Sequence, residues 1–304
     1  MQFDQLKRRD FITLLGGAAA WPLAAWAQQG GKLATVGVMA SGTVADTSHL
    51  TAAFVQRLRE LGWIEGRNVA IEYRWGEGRT ERFTEIADEF VRLKVDLILT
   101  HNTPPVLAAK RATSVIPIVF ATAGDPVGTG IVASLSRPGG NITGLSGQAP
   151  DTTGKRIELL REIVPSLRRL AMLADVGNPF TAREIDEVHG AAHTLALEAD
   201  VFEIRRAEDI GPAFKALQGR AQALYVPAVP LFLVNRVRVN TFALVARLPT
   251  MYLIREPVEV GGLISYGPNW RDMWRRAANL VDDSARSEAS RAPGRAADQI
   301  RSLH

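Results

Sequence analysis

The chain has 304 residues, of which 46% are hydrophobic and 22% charged, a composition typical of a globular protein long enough for two domains. The net charge is only +4 and its excess lies mostly at the two ends, which excludes the basic groove that nucleic-acid-binding proteins use. No stretch after the first 27 residues approaches the ~18 to 20 apolar residues of a membrane span.

The first 27 residues have the pattern of an export signal. Arg8 and Arg9 precede an apolar run over residues 14–25, and Ala25 and Ala27 place small side chains at the two positions of a cleavage site. The arginine pair resembles the twin-arginine type of signal. The absence of cysteine suits an exported protein, which then needs no oxidative folding. We expect cleavage near Ala27 and a periplasmic location for the rest of the chain.

The residues after the signal alternate between strand and helix patterns. Short apolar runs predict strands over residues 33–39, 69–75, 96–100 and 117–123. The segments between these runs have apolar residues at helical spacing, such as Leu50, Phe54 and Leu58. Strands that alternate with helices of this length predict a parallel sheet with right-handed crossovers.

At Gly124-Asp125-Pro126 the fourth predicted strand breaks into a glycine-rich turn, and a second series of the same kind begins. Its predicted strands cover residues 141–146, 168–175, 201–205, 223–226, 250–254 and 263–266. Its predicted helices cover about 152–164, 180–199, 210–217, 232–248 and 269–283. The repetition predicts two similar α/β lobes, with the passage between them at Asp125.

Four of the predicted strands end in loops that carry small, hydroxyl or amide side chains. These loops lie around Ser41, Asn102, Asp125 and Asn178. Open α/β sheets bind ligands at the carboxyl ends of their strands, so we expect the loops to line a cleft between the lobes. Turns prefer the same residue types, and a role in turn formation alone stays open for each loop.

Three local patterns suggest chemistry instead of binding. Residues 128–133 resemble the glycine fingerprint of dinucleotide-binding folds, which keeps an exported NAD(P)-dependent oxidoreductase open as an alternative. That fingerprint belongs directly after the first strand, however, and these glycines follow the fourth. Ser146 lies in an incomplete nucleophile elbow, and His189 and His193 have the spacing of zinc ligands without an identifiable third ligand.

A regulator on a bilobal fold is a third option, but the export signal occupies the place of its DNA-binding helices.

Several segments together resemble the TrpX-like family of ABC-transporter substrate-binding proteins. They are Asn68-Val-Ala-Ile-Glu-Tyr-Arg-Trp75, Ile116-Pro-Ile-Val-Phe120, Gly124-Asp-Pro-Val127, Ser136-Arg-Pro-Gly-Gly-Asn-Ile-Thr-Gly144 and Gly261-Gly-Leu-Ile-Ser-Tyr-Gly-Pro-Asn269. The resemblance also includes the arginine pair and its surroundings, and it extends to about Asp283. It implies the type I periplasmic-binding-protein fold, an α/β fold with two Rossmann-like lobes whose parallel sheets are joined by a hinge.

The resemblance further implies a receptor that is not an enzyme and has no cofactor. Such a receptor captures a small solute, here an amino acid or a related compound, and presents it as a monomer to a membrane permease. We expect residues 28–123 with about 269–284 to form the first lobe and residues 124–268 the second. The expected ligand-binding residues are Ser41, Asn102, Thr103, Asp125, Pro126, Ser146, Asn178 and Tyr266. In this scheme Asp125 pairs with a cationic group and Tyr266 covers an apolar part of the solute.

Two features depart from the family pattern. Relatives have an aspartate just before the second proline of the loop at residues 227–230, where this chain has Val229. A carboxylate that could bind a ligand ammonium is therefore missing, and Asp125 is the remaining candidate. Relatives also continue through a last strand and helix, whereas residues 285–304 are polar and lack apolar periodicity, so we expect them to be disordered.

Overall fold

The computed structural model of the protein describes residues 33–291. The predicted export signal, with Arg8, Arg9, Ala25 and Ala27, lies outside the described residues, as do residues 292–304. From Thr35 onward the chain forms one compact unit. None of the helices in the described part of the chain is long and apolar enough to cross a membrane.

The first of two five-stranded sheets is built from the amino-terminal half of the chain. Its strands are β1 (Ala34–Ala40), β2 (Val69–Trp75), β3 (Leu97–Thr100), β4 (Ile118–Ala123) and β5 (Ile142–Ser146). Their order in the sheet is β2-β1-β3-β4-β5, and β1–β3, β3–β4 and β4–β5 pair in parallel. Every residue of β3 and β4 is buried, because both faces of a parallel sheet are covered by helices.

The second sheet follows the same plan in the carboxyl-terminal half. Its strands are β6 (Arg169–Asp175), β7 (Glu198–Ile204), β8 (Ala223–Val226), β9 (Thr250–Tyr252) and β10 (Ile264–Ser265). They lie in the order β10-β9-β8-β6-β7, and all their pairings are parallel. The predicted fold class, an α/β protein with two parallel-sheet lobes, is confirmed.

Helices connect the strands and cover the sheets. They are α1 (Val44–Glu60), α2 (Thr80–Leu93), α3 (Thr103–Ala112), α4 (Thr153–Ile163), α5 (Thr181–Thr194), α6 (Ile210–Leu217), α7 (Pro230–Val234), α8 (Arg236–Val245) and α9 (Trp270–Arg291). The start of α1 shows why the chain turns into a helix there. Thr43 and Asp46 form a reciprocal capping box that satisfies two otherwise unpaired N–H groups of the first turn.

The last helix, α9, returns to the first lobe. It packs against α1 and β4. Trp274 of α9 is fully buried, and its ring meets Phe54 edge to face at 6.5 Å between centroids. At the other end of the contact, Trp63 Nε1 donates a hydrogen bond of 2.9 Å to Asp282 Oδ1. The first lobe therefore comprises β1 to β5, α1 to α3 and α9, and the second comprises β6 to β10 and α4 to α8.

The predicted lobe boundary at residue 124 differs from the structure. The strand β5 was assigned by its position in the sequence to the second lobe, yet it pairs with β4, with Ile118 opposite Ile142 and Val119 opposite Thr143. The backbone N–H groups at the edge of β4 thereby gain partners in the first lobe. The chain passes to the second lobe only after Ser146, through residues 147–152.

The expectation of disorder from residue 285 onward is wrong for its first part, because α9 continues to Arg291. Contacts one helical turn apart support this continuation. Arg286 Nε donates to Asp282 Oδ1 at 2.7 Å, and Ser284 Oγ donates to the carbonyl oxygen of Leu280 at 2.7 Å. The sequence at 285–291 lacks the apolar periodicity that would have predicted this continuation. Residues 292–304 lie beyond the described part of the chain, and their predicted disorder stays a prediction.

Candidate functional site

A cavity lies where the carboxyl ends of the two sheets face each other. The loops after β3, β4 and β5 contribute to it from the first lobe, and the loops after β6, β8 and β9 contribute from the second. Its volume is about 20 Å³, roughly the space of a single water molecule. The lobes are therefore closed on each other, and the position at the carboxyl ends of parallel strands is the one that α/β folds use for ligands.

The polar part of the cavity wall consists of amide and hydroxyl side chains. Asn102, Thr103 and Thr122 line it from the first lobe, and Asn178 lines it from the second. The strand β3 places Asn102 at the N-cap of α3 with Thr103 as the first helical residue. Asn178 precedes α5, and its Oδ1 accepts a hydrogen bond of 3.0 Å from the N–H of Phe180. The amino-terminal ends of two helices thus approach the cavity from opposite lobes, and each presents a partial positive charge.

The apolar part of the wall comes mostly from the second lobe. Phe180, Val229 and Leu253 line the cavity there, and Trp270 of α9 lines it from the first lobe. Phe180 reaches across the cleft to Gly124, where the chain leaves β4. The cavity thus combines hydrogen-bonding groups with an aromatic and aliphatic surface, as small-molecule sites do.

Asn102 adopts a backbone conformation that non-glycine residues rarely occupy. Its φ is 67° and its ψ is 150°, a region in which an L-residue is strained by ~1 to 3 kcal/mol. Three hydrogen bonds hold it there. Its N–H donates to Thr122 O at 2.8 Å, its Nδ2 donates to Ser41 Oγ at 2.9 Å, and its carbonyl accepts from the N–H of Val106. The strain is therefore offset by bonds that join the ends of β1, β3 and β4 beneath the cavity.

Ser41 lies under this wall and not on the cavity surface. Its N–H donates to His101 Nε2 at 3.0 Å, and its hydroxyl oxygen lies 3.1 Å from the same nitrogen while accepting from Asn102. Ser41 is not among the residues that line the cavity. Its hydroxyl serves the junction of β1 and β3, and the expected contact with a ligand stays a prediction.

His101 belongs to the interior of the first lobe. Its ring packs edge to face against Trp274 at 5.0 Å and Trp270 at 5.7 Å between centroids. Since Nε2 accepts the Ser41 N–H, a neutral ring carries its proton on Nδ1, which has no hydrogen-bond partner among the described residues. Burial lowers the pKa of His101 to about 3, so the ring is uncharged near neutral pH.

Asp125 and Pro126 form the turn that follows β4. The carboxylate of Asp125 accepts a 2.8 Å hydrogen bond from the N–H of Gly128, and its carbonyl accepts from the hydroxyl and N–H of Thr129. Neither Asp125 nor Pro126 lines the cavity, whereas their neighbour Gly124 does. The structure gives the Asp125 carboxylate a partner in its own turn. Its expected pairing with a ligand cation stays a prediction.

Two further expected ligand residues lie outside the cavity wall. The hydroxyl of Ser146 accepts from the N–H of Gln148, and the adjacent Gly147 contacts the cavity instead. Tyr266 has 43% of its surface exposed and is held through its N–H to the carbonyl of Tyr252. Of the eight residues expected from the sequence, the structure brings Asn102, Thr103 and Asn178 together at the cavity.

A buried ionic network lies behind the cavity in the second lobe. Arg156 of α4 and Glu184 of α5 are both fully buried, and the hydroxyl of Tyr225 bridges them. Arg156 donates to this hydroxyl from Nη2 at 2.6 Å, and the hydroxyl donates to Glu184 Oε1 at 2.8 Å. Burial raises the pKa of Glu184, although the nearby Arg156 opposes the shift. Arg156 also donates to the carbonyl of Ala149, so the network fixes the segment that crosses between the lobes.

Polar contacts between side chains join the lobes at the rim of the cleft. Arg236 at the start of α8 binds Asp46 at the start of α1, with Nη1 and Oδ1 2.5 Å apart. His49 Nε2 lies 3.3 Å from Glu256 Oε1. Burial by itself raises the pKa of the Asp46 carboxyl, but hydrogen bonds from Thr43 and Arg236 outweigh burial and hold the pKa below its ordinary value. These contacts depend on closure, because each joins residues of different lobes.

The alternative chemistries find little support in the geometry. Residues 126–130, which include Gly128 and Gly130 of the fingerprint, form a turn, and no helix follows before residue 150, so the helix N-terminus that holds a pyrophosphate is missing there. His189 and His193 are exposed on α5. Within residues 33–291 there is no group of three or more His, Cys, Asp or Glu side chains that could hold a metal ion.

The sequence interpretation missed most of the apolar wall. Phe180, Leu253 and Trp270 were not expected to meet a ligand, and Val229 was noted only for the carboxylate it lacks. A buried aromatic or aliphatic residue has the same sequence pattern whether it packs in a core or lines a cavity. The position of these residues in the chain could have identified them, because Phe180 follows the Asn178 loop and Val229 lies in the loop after β8.

Two parallel-sheet lobes that close on a small cavity at their strand ends define a bilobal solute-binding protein. The chain matches the family described as ABC transporter substrate binding protein over residues 43–284, which is most of its length. It belongs to this family. The solute-binding role expected from the resemblance is thereby confirmed at the level of the family.

Individual relatives agree with this assignment. The chain is 27% identical over 228 residues to a tyrosine-binding protein of Clostridioides difficile strain R20291, and the match covers 75% of the chain but only 66% of the relative. A conserved domain protein from Vibrio cholerae has the same fold, with a TM-score of 0.78, 24% identity and coverage of 83% and 84% of the two chains. An ABC domain from Streptococcus pneumoniae, solved in complex with L-Trp, gives a TM-score of 0.77 at 21% identity with the same coverage.

Proposed function

We propose that the protein is the extracytoplasmic solute receptor of an ABC importer. It binds a small carboxylate-bearing solute with an apolar body, an amino acid or a related compound, in the cleft between its lobes. The observation that carries this proposal is the cavity itself, which is lined by strand-end loops of both sheets and combines amide groups with aromatic side chains. The delivery partner is a membrane permease, and the receptor acts as a monomer after removal of the signal near Ala27.

Capture of a solute requires the lobes to separate. A cavity of about 20 Å³ is far smaller than an amino acid, so the closed arrangement has to open for entry. The segments at residues 147–152 and 266–269 carry the chain between the lobes and are the natural hinges. Binding then shifts the population toward closure, because the solute contacts both lobes only in the closed form.

The polar wall is suited to an anionic group. Asn102 and Thr103 at the start of α3, and Asn178 ahead of α5, place amide groups and two helix N-termini around the cavity. Phe180 and Trp270 supply a surface for an apolar or aromatic body. The names of the tyrosine-binding relative and of the L-Trp complex support a solute with an aromatic body.

A thermal-shift screen of the exported form tests this function. The panel contains L-tryptophan, L-tyrosine, L-leucine, indolepropionate, hydroxyphenylpropionate, glucose, adenosine, NAD and NADP. We expect the melting temperature to rise with one or more of the carboxylate solutes, because a ligand that binds the native state stabilises it. A rise with NAD or NADP alone would instead support the oxidoreductase alternative.

A further inference from the structure

We propose that the cleft selects apolar carboxylates without an ammonium group over the α-amino acids of the same side chain. This inference rests on the proposed function and narrows its solute class. An amino acid would present a carboxylate and an ammonium to the same small cavity. The cavity wall has hydrogen-bond donors that suit the carboxylate, but within residues 33–291 it has no anionic side chain to pair with the ammonium.

The side chains of the cavity wall are uncharged. Its polar members among the described residues are Asn102, Thr103, Thr122 and Asn178, and its remaining members are glycine or apolar. All four polar side chains are buried, so a charge bound beside them keeps little of its hydration. A buried ammonium needs an anion or several carbonyl acceptors to compensate for its lost hydration. Neutral amide oxygens and hydroxyls offer much less than a carboxylate does.

The nearest carboxylates in the sequence serve their own turns. Asp125 Oδ1 accepts from the N–H of Gly128, and Asp175 Oδ1 accepts from the N–H of Gly177. Neither residue lines the cavity, although Gly124 and Asn178 beside them do. Burial raises the pKa of Asp175, although the hydrogen bond from the N–H of Gly177 opposes the shift. Because neither carboxylate belongs to the cavity wall, a solute enclosed by that wall has no anion beside it among the described residues.

The anionic end of a solute is better provided for. The N-termini of α3 and α5 approach from opposite lobes, and each favours a negative charge. A second and independent feature lies in the same wall. Trp270 lines the cavity, and its indole Nε1 is buried without a hydrogen-bond partner among the described residues. A buried donor of this kind is costly unless an acceptor arrives, and a carboxylate oxygen of the solute is such an acceptor.

Val229 offers a position in the cavity wall at which a carboxylate can be introduced. It lines the cavity in the loop after β8, it is buried, and its side chain is aliphatic. A carboxylate introduced at this position would belong to the wall itself. The substitution Val229→Asp therefore adds the group that an α-amino acid requires, and Val229→Asn adds a side chain of the same shape without the charge.

Calorimetric titrations with two matched pairs of solutes test the inference. The pairs are indolepropionate with L-tryptophan and hydroxyphenylpropionate with L-tyrosine, whose members differ only in the ammonium group. For the wild-type protein we expect the compound without the ammonium to bind at least about ten-fold more tightly in one or both pairs, since an unpaired buried charge weakens binding strongly. This comparison needs no variant and does not depend on the folding of one.

The other outcomes are distinct. Tighter binding of the amino acids by the wild-type protein would overturn the inference and leave the proposed function intact. Binding of neither member of either pair, together with no response to L-leucine, would count against the proposed function and the inference alike. For Val229→Asp we expect the preference to shift toward the amino acid by about ten-fold or more, and for Val229→Asn we expect no such shift. An equal shift in both variants would show that polarity, and not the missing charge, sets the preference.

Discussion

The ring of Phe180 on the second lobe lies directly against Gly124 on the first. A Cβ atom added at Gly124 would be 2.9 Å from Cζ of Phe180, closer than real side chains approach. Gly124 follows β4 and Phe180 precedes α5, so this contact exists only when the cleft is closed. The absence of a side chain at residue 124 therefore lets the Phe180 ring lie against the backbone when the cleft is closed.

Gly124→Ala should weaken solute binding by disfavouring the closed form. Overpacking of a close contact costs about 1 to 3 kcal/mol, which corresponds to roughly five- to hundred-fold weaker binding. Gly154→Ala is the matched control, because nothing lies within 4 Å of a Cβ placed there in α4. Calorimetry on both variants measures the effect. Binding by Gly124→Ala at wild-type affinity would mean that Phe180 moves aside without cost.

The ion pair between Asp46 and Arg236 predicts a second effect on closure. Both side chains are largely buried at the rim, at 16% and 19% exposure. We expect Arg236→Gln to weaken solute binding by about two- to ten-fold, since partly shielded pairs of this kind contribute about 1 kcal/mol. Arg255→Gln is the control, because Arg255 pairs with Glu259 inside one lobe. Equal losses in the two variants would argue against a cross-lobe contribution.

His101 predicts how stability depends on pH. Its folded-state pKa of about 3 lies below the ordinary value of 6.5, so between these values the unfolded chain binds a proton that the native protein excludes. Stability is therefore retained above the unfolded pKa and falls as the pH decreases from 6.5 toward 3. From about pH 8 to about pH 5 the loss from this residue is about 2 kcal/mol.

Denaturant unfolding at a series of pH values measures this loss. The acid-dependent decrease should be smaller in His101→Gln, even if the variant is less stable at every pH. His193→Gln is the control, since His193 is exposed on α5. A wild-type decrease that persists unchanged in His101→Gln would assign the acid sensitivity to other groups.

The hydroxyl of Tyr225 links the buried side chains of Arg156 and Glu184, and removing it tests how much this network stabilises the fold. In Tyr225→Phe, Glu184 loses its donor and Arg156 loses one acceptor, which should lower the free energy of unfolding by about 1 to 3 kcal/mol. Tyr266→Phe removes a hydroxyl from an exposed residue and should change it by less than about 0.5 kcal/mol. Thermal or denaturant unfolding of both variants gives the comparison. Similar stabilities for the two would show that the network contributes little.

The strand and helix order of this protein was readable from the sequence, because buried runs such as β8 (Ala223–Val226) and amphipathic helices such as α6 have their own periodicity. Which of the two sheets a strand joins could not be read from the sequence. The strand β5 was placed in the wrong lobe, since its pairing of Ile142 with Ile118 is a long-range contact that no local pattern encodes. The end of α9 was also missed, because residues 285–291 carry no apolar stripe from which a helix could be predicted.

The candidate site was predicted in part, and for a physical reason. The sequence placed Asn102 and Asn178 at strand ends, where parallel sheets bind ligands, and both line the cavity; that they bind a solute stays a prediction. The apolar part of the cavity wall was not predicted, because Leu253 and Trp270 resemble core residues in sequence. For Asp125 the sequence could not show that the carboxylate bonds to Gly128 within the same turn, and its pairing with a ligand cation stays a prediction.

The Asp125 interpretation can be tested separately. Asp125→Ala removes the carboxylate that holds the turn after β4, so we expect a small loss of stability of about 0.5 to 1.5 kcal/mol and solute affinity within about three-fold of wild type. Calorimetry and thermal unfolding of the same preparation provide both values. Abolished binding with an unchanged melting temperature would restore Asp125 as a ligand residue.

In the proposed function the solute binds between Asn102 on one lobe and Asn178 on the other. The most direct measurement is calorimetric titration of indolepropionate and L-tryptophan into Asn178→Ala and Asn141→Ala. Both asparagines fix a turn, but Asn141 bonds to Thr113 and Ile116 away from the cavity. We predict that Asn178→Ala binds at least about ten-fold more weakly than wild type while Asn141→Ala keeps its affinity. Wild-type affinity in Asn178→Ala would contradict the account.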